Sequence, residues 1–478
     1  MASTIQILTS HNPATDKLIW EGETTSAVEL QEVIAKADAA RFVWANMPFE
    51  GRCEICLNFK AAVAQKKEFL AHTISEEMGK PLWESQQEVN ALISKIDITI
   101  SAYQERCPDQ TKMQGEVAHH LSHRPHGILA VLAPFNFPMH LPNGHIAPAL
   151  LAGNCVILKP SEFAPKSGQE LVDCWNASGL PDGVLQIVQG RGDIGRALAE
   201  HPQIDGLCFT GSSATGKSLM KLFSETPGKL LALEMGGNNP LVVSENIESD
   251  AAVFGIVQSA FLTTGQRCSC ARRLIIIDSP GRQRLLDRLV EVTKRLKVGA
   301  FDATPAPYMG PLIHRQSRES ALNAQEEWSR AGAKCLLKMS SLGEVGAFVS
   351  PGVFQMDSQM ALKDEEVFAP LLAVYVVQNL DEAIALANRT RYGLSATIFT
   401  DSAQEYKQFF REVRAGLINW NTPTTGASSE MPFGGIGDSG NLRPSGYYAV
   451  DYSVYPVASM ERESLVLPGQ LPAGIELP

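Results

Sequence analysis

Residues 123–134 read His-Arg-Pro-His-Gly-Ile-Leu-Ala-Val-Leu-Ala-Pro, a charged turn followed by a short unbroken apolar run that proline stops. Such a run predicts a strand buried on both faces. Working outward, the same unit recurs in Cys155-Val-Ile-Leu-Lys159, Leu185-Gln-Ile-Val188, Gly206-Leu-Cys-Phe-Thr210 and Pro240-Leu-Val-Val243, with helical spacing between the runs. Strand–helix–strand repetition predicts a parallel α/β sheet with right-handed crossovers. A second alternating series starts near Arg273-Leu-Ile-Ile-Ile277 and extends to Gly416-Leu-Ile-Asn-Trp420. Upstream, residues 27 to about 105 are helix-rich, with charged faces.

A chain of 478 residues is too long for one core, so two or three domains are expected. Hydrophobic residues at 44% and charged residues at 19% place it among ordinary globular proteins. A formal charge of −11 argues against nucleic acid and anionic membrane as partners. The opening MASTIQILTSHNPATDK lacks the basic flank and apolar stretch of a signal peptide, and no run approaches the length of a membrane span. Nine cysteines, an odd number without framework spacing, predict reduced thiols and a cytoplasmic protein. Cys53 and Cys56 have C-x-x-C spacing, but they fall in a helical pattern and lack a second ligand pair, so no metal is expected.

Three motifs bear on a cofactor. Gly190-Arg-Gly192-Asp-Ile-Gly195 is a literal G-x-G-x-x-G after a strand, readable as a dinucleotide fingerprint or as a tight βα turn. Gly211-Ser-Ser-Ala-Thr-Gly216-Lys217-Ser218 matches the P-loop pattern in full, and Asp278 ends an apolar run as a magnesium-holding aspartate would. Bare amides at a helix N-terminus attract an anion, so this loop suits a phosphate whichever nucleotide carries it. Lys159-Pro-Ser-Glu162 sets an ammonium and a carboxylate at a strand's end. They are able to chelate a ribose, with Glu162 favouring NAD over NADP, or to form a solvated capping box.

Cys268 lies in Thr264-Gly-Gln-Arg-Cys-Ser-Cys270, at the end of an apolar helical stretch, and Glu234 precedes it by 34 residues in Leu233-Glu-Met-Gly-Gly237. A thiol in a turn and a distant carboxylate suit a nucleophile and its base. An inert buried thiol is the alternative. A nucleotide triphosphatase would need neither.

Together with these, Pro134-Phe-Asn-Phe-Pro138, Phe209-Thr-Gly-Ser212, Glu365-Glu-Val-Phe-Ala-Pro370 and Pro432-Phe-Gly-Gly435 match landmarks in order and separation. On them, the chain resembles the NAD(P)-dependent aldehyde dehydrogenases over essentially its whole length. His140-Leu-Pro-Asn-Gly-His-Ile146, Met235-Gly-Gly-Asn-Asn-Pro240 and Gly440-Asn-Leu-Arg-Pro-Ser445 resemble the succinylglutamate semialdehyde subgroup of arginine catabolism.

The resemblance implies two parallel-sheet α/β domains and a small β arm for oligomerisation. The cofactor domain would take residues 1–110 and 129–234, the catalytic domain 235–444, and the arm with the tail 111–128 and 445–478. A homodimer or homotetramer is implied. Cys268 becomes the nucleophile, Asn136 with the Cys268 N–H the oxyanion donor, and Glu234 the base. Lys159 and Glu162 would take the adenosine ribose of NAD. Gly192 would lie near the adenosine, with Gly211, Ser212 and Gly216 at the pyrophosphate. Glu366 and Phe368 would hold the nicotinamide side, which leaves Lys217 and Ser218 as ordinary helix surface. No metal is needed, because the cofactor is the electron sink.

The pocket loop Thr422-Pro-Thr-Thr-Gly-Ala-Ser-Ser-Glu430 is polar and lacks aromatics, which suits a polar or acidic semialdehyde. Arg267 and Arg443 can pair with a substrate carboxylate or with protein acids. Phe135 stands where many relatives carry tryptophan, and Asn238 where many carry lysine. A non-catalytic NAD-binding scaffold and a P-loop NTPase are the rival function classes.

Overall fold

The computed structural model describes residues 6–477 apart from 246, 248, 358, 359, 361 and 362. A five-stranded parallel sheet runs in the order Leu185–Ile187, Cys155–Lys159, Ile128–Leu132, Gly206–Gly211, Leu230–Met235. The strand quoted first is thus the central one. Four helices, Ala27–Ala45, Phe49–Gln65, Lys67–Met78 and Leu82–Arg106, pack against this sheet in a single apolar core. Within it the rings of Phe59 and Trp175 stack at 3.9 Å. A capping box between Ser26 and Glu29 starts the first helix.

The second sheet has seven strands in the order Lys334–Leu337, Gly352–Gln355, Leu371–Val377, Ala271–Ile277, Asn239–Val243, Ser395–Phe399, Leu417–Trp420. All its pairs are parallel except the first, which is antiparallel. The run 240–243, expected to close the first series, belongs here instead, between strands from residues 271–277 and 395–399. Sequential order does not reveal this, because consecutive strands need not share a sheet. Alternation explains why these strands are apolar throughout. Val242, Ile275 and Ile277 enter one core, while Leu241, Val243, Leu274 and Ile276 enter another on the opposite face.

Three smaller β structures complete the described residues: the antiparallel pair Pro432–Phe433 with Ser445–Gly446, a three-stranded sheet and a hairpin. Val454–Glu461, Val117–Pro125 and Gln110–Gln114 form an antiparallel sheet in that order, with both outer strands unpaired on one edge among the described residues. An N-terminal hairpin, Ile7–His11 with Leu18–Glu23, reaches from the helical side to the second sheet's unit. There the Ala347 N–H donates to the Pro13 carbonyl at 2.9 Å, and Arg315 pairs with Asp16. Gly79 sits at the same junction with φ of +83°, where a Cβ would come 2.6 Å from both Pro13 and Pro311. Beyond Glu461 the described residues are almost all exposed and form no helix or strand.

The described cysteines are free: Cys335 is exposed, Cys53 and Cys268 half-buried, and the rest buried. Cys53 and Cys56 lie inside the helix Phe49–Gln65. No described helix is long and apolar enough to cross a membrane.

Candidate active site

The five-stranded sheet reverses direction of growth between Ile128–Leu132 and Gly206–Gly211, which opens a crevice beyond their carboxyl ends. Each strand end delivers a predicted residue there. After Leu132 comes the turn holding Asn136, and Lys159 ends its strand and leads to Glu162. Gly211 leads to Ser212, and Glu234 is the penultimate residue of the outermost strand. Ser212 caps the helix Ser213–Phe223, its hydroxyl accepting from the Thr215 N–H at 3.2 Å. The N–H groups at the start of such a helix lack intrahelical partners, and those the Ser212 cap leaves over are able to serve an anion.

Cys268 comes from the other unit, through a strained connection. Helix Asp250–Phe261 passes into the 3-10 turn Leu262–Gly265, where Thr263 and Thr264 hold φ of 54° and 58°. Two successive β-branched residues in the left-handed region persist only where surroundings over-determine them. Here the Thr263 hydroxyl donates to Glu84 at 2.7 Å and the Thr264 hydroxyl to the Gly310 carbonyl at 2.9 Å. At Gly265 a Cβ would strike the Ala369 carbonyl oxygen at 2.3 Å. Arg272, near the start of the next strand, donates to the carbonyls of Gly265 at 2.7 Å and Arg267 at 3.1 Å. Asn239 donates to the carbonyls of Cys268 at 2.7 Å and Cys270 at 2.8 Å. The nucleophile candidate is therefore held by its backbone from two strands.

Cys268 and Glu234 line one cavity of about 370 Å³, together with Lys95, His140, His145, Ser445 and the Thr425–Ser429 loop. Asn136 stands just outside that lining, 5% exposed, donating to the Gln266 carbonyl at 2.9 Å. Its own carbonyl accepts from Lys80 Nζ at 3.1 Å. Lys80 also pairs with Glu88, whose other oxygen accepts from the N–H groups of Met139 at 3.0 Å and His140 at 3.1 Å. A buried ion pair thus grips the Asn136 turn from both sides.

Burial pushes the Glu234 carboxyl up to about 7, against the pull of the Ser445 hydroxyl and N–H and of the Lys95 charge. Its Oε1 has no hydrogen-bond partner among the described residues. A carboxyl poised near neutrality with a free oxygen has the properties of a general base. Burial also pushes the Cys268 thiol far up, reinforced by the Glu234 and Glu366 carboxylates and opposed by Arg272. In this state it is a neutral thiol.

The residues around the crevice suit a nicotinamide cofactor. Gly236 leaves a recess in which a Cβ would lie 1.7 Å from Glu366 Oε2, and Glu366 is steered by Arg272 at 3.0 Å. Phe368 stands 6.0 Å from Phe135, edge to face, with the Arg272 guanidinium over its ring at 5.4 Å. Lys159, 6% exposed, donates to the Pro160 carbonyl at 2.8 Å, with burial drawing its pKa down. Gly192 opens the helix Gly192–Glu200 with open space where its Cβ would be. Ser161 makes a local turn with the Phe163 N–H at 3.3 Å instead of capping a helix.

Other expectations meet different surroundings. Lys217, the P-loop lysine, is taken by Asp438, and Asp278 pairs with Arg282 at the end of a strand in the other sheet. Arg267 lines the cavity, but its charge is paired with Glu84 at 2.7 Å. Arg443 is exposed and is not among the cavity-lining residues. Sequence reading missed Arg272, Asn239, the Lys80–Glu88 pair and Lys95. One signal was available: Arg272 and Arg273 interrupt an otherwise apolar, fully buried strand.

A family model for the aldehyde dehydrogenase family matches residues 2–456. The chain is 49% identical to an N-succinylglutamate 5-semialdehyde dehydrogenase of Chromobacterium violaceum, over 98% of this chain and 96% of that one. It is 47% identical to a protein of the same name from Ectopseudomonas mendocina, with the same coverage. Among solved structures, glyceraldehyde-3-phosphate dehydrogenase GapN from Methanocaldococcus jannaschii, complexed with NADP, superposes with a TM-score of 0.89 at 27% identity, covering 96% of this chain and 100% of that one. An NAD-dependent aldehyde dehydrogenase from Sinorhizobium meliloti does so with a TM-score of 0.91 at 27% identity, covering 97% and 93%. The fold and the nicotinamide cofactor class are thereby common ground. With a family match over nearly all its length and relatives close to half identical, this chain belongs to the aldehyde dehydrogenase family.

Proposed function

We propose that the protein oxidises N-succinylglutamate 5-semialdehyde to N-succinylglutamate with NAD. The observation that carries this is the meeting in one cavity of Glu234, on a strand of the five-stranded sheet, and Cys268, in the turn that leads into a strand of the seven-stranded sheet. The identity of 49% to a relative named for that substrate supports the substrate.

The residues divide the work as follows. Cys268 gives its proton to solvent water and adds as thiolate to the aldehyde carbon, and the resulting thiohemiacetal oxyanion sits against the Asn136 amide and the Cys268 N–H. Asn136 must exchange its resting contact with Gln266 for that oxygen, or share the two N–H donors of its amide. When bound, the nicotinamide supplies the two-electron acceptor that makes the adduct a thioester. Glu234 takes a proton from water, which attacks the thioester and frees the acid and the thiol. Lys159 and Glu162 hold the adenosine ribose, and Glu162 disfavours a 2′-phosphate, hence NAD over NADP. Gly192 would lie near the adenosine, Gly211, Ser212 and Gly216 would face the pyrophosphate, and Glu366 and Phe368 would hold the nicotinamide end. The expected setting is the cytoplasm, as a homodimer or homotetramer joined through the small β arm.

The test is NADH formation with N-succinylglutamate semialdehyde, succinate semialdehyde and a simple aliphatic aldehyde, using NADP and Cys268→Ala as controls. Preference for the first aldehyde with NAD, abolished in the variant, is the expected result. Preference for another aldehyde would keep the chemistry and overturn the substrate. NAD binding without turnover of any would favour a scaffold.

A further inference from the structure

The cavity around Cys268 contains a cation that neither the reaction nor the packing consumes. Lys95, on helix Leu82–Arg106, is 2% exposed and stands on the wall with Glu234, His140, His145 and Gly446. Its Nζ donates to the Gly446 carbonyl at 2.7 Å. Among the described residues no carboxylate forms an ion pair with it, so two of its three N–H donors are free for cavity contents.

The neighbouring charges are otherwise engaged. Glu88 is bound to Lys80 and to backbone N–H groups, and Glu84 to Arg267 and the Thr263 hydroxyl. His140 and His145 are held neutral, burial pushing each down to about 4. His145 is further fixed by the Tyr452 hydroxyl at 2.8 Å. Glu234 titrates near 7 and donates or accepts with water in the reaction. A buried ammonium with one neutral acceptor is costly, and burial pulls Lys95 down to about 8. Such a group is compensated when an anion arrives. Ser428 and Ser429 also line the cavity, which suits a substrate with further polar groups.

We infer that Lys95 binds a carboxylate of the aldehyde substrate and so determines specificity for acidic semialdehydes. This rests on the proposed oxidation of an acidic semialdehyde at the same site. The contact also neutralises the charge that draws Glu234 down, leaving that carboxylate a stronger base during turnover.

The test compares wild type, Lys95→Met and Lys95→Arg on N-succinylglutamate semialdehyde and on hexanal, at saturating NAD. Lys95→Met is expected to lose about 30-fold or more in kcat/KM on the carboxylated aldehyde, mainly through KM, and less than about 3-fold on hexanal. Lys95→Arg recovers part of the loss. In wild type, competitive inhibition by N-succinylglutamate weakens as pH rises through about 8, where Lys95 loses its proton. Equal losses on both aldehydes would overturn the inference and place Lys95 behind Glu234 or the Gly446 turn. No loss on either would overturn it as well. If Lys95→Met fails to fold, judged by its melting curve, the wild-type inhibition decides, and a constant inhibition between about pH 7 and about pH 9 overturns it. Wild type that oxidises hexanal and ignores the succinylated aldehyde overturns the substrate reading itself, before any variant is made.

Discussion

Glu234 shows how one side chain trades stability for chemistry. Its folded value of about 7 exceeds the ordinary 4.5, so the folded state holds the proton more tightly than the unfolded state. The stabilisation is therefore complete below about 4.5 and is lost as pH rises to about 7. Glu234→Gln carries no such charge. It is expected to melt above wild type at alkaline pH by the equivalent of on the order of 1–3 kcal/mol, with the gap closing in acid. The same variant should lose ~10²–10⁴ in kcat and the ascending limb of the pH profile if Glu234 is the base proposed above. Melting curves and steady-state rates across pH check both. At this scale the sequence was most legible, since a thiol, an amide and a carboxylate carry their chemistry in their names. Arg267 and Lys95 mark the limit. Both are cations near the cavity, and only their partners, Glu84 for one and a lone carbonyl for the other, separate a structural charge from an available one.

Among the elements, the helix Leu82–Arg106 and the turn before it do more than its polar sequence suggests. Lys80 and Glu88 clamp the Asn136 turn across more than fifty residues of chain, through the Asn136 carbonyl and two backbone N–H groups. Lys80→Met leaves Glu88 charged and buried, and should destabilise by about 3–5 kcal/mol. Adding Glu88→Leu should restore most of the melting temperature but not the activity, because the Asn136 turn then lacks its grip. Recovery of both would show that the pair serves packing alone. Such a clamp is illegible in sequence, where a lysine and a glutamate eight residues apart look like a solvated helix face. The strands were legible because burial on both faces writes itself as an unbroken apolar run. Their assignment to sheets was not, as the run 240–243 shows. The hairpin of residues 7–23 left no apolar run long enough to reveal it.

At the scale of the whole molecule, the three-stranded arm leaves an edge unpaired on each side among the described residues. Tyr455 and Met460 are exposed on one and Met113 on the other. Unpaired edges with apolar side chains are suited to meeting another copy. Met460→Lys is expected to shift the assembly toward smaller species in light scattering after size exclusion, while leaving cofactor binding within about 2-fold. An unchanged mass would move the contact to another surface.

The distribution of thiols has a practical consequence for anyone counting working molecules in a preparation. Cys335 lies open on an edge strand, whereas Cys268 is half-buried and neutral at rest. A maleimide or iodoacetamide therefore consumes Cys335 first, and early label uptake measures total protein, not competent sites. With Cys335→Ser and with Cys53→Ser, since Cys53 is half-buried too, the slower uptake that accompanies loss of activity becomes a titration of the proposed nucleophile, and the wild-type trace, read naively, would overstate how much enzyme has been silenced.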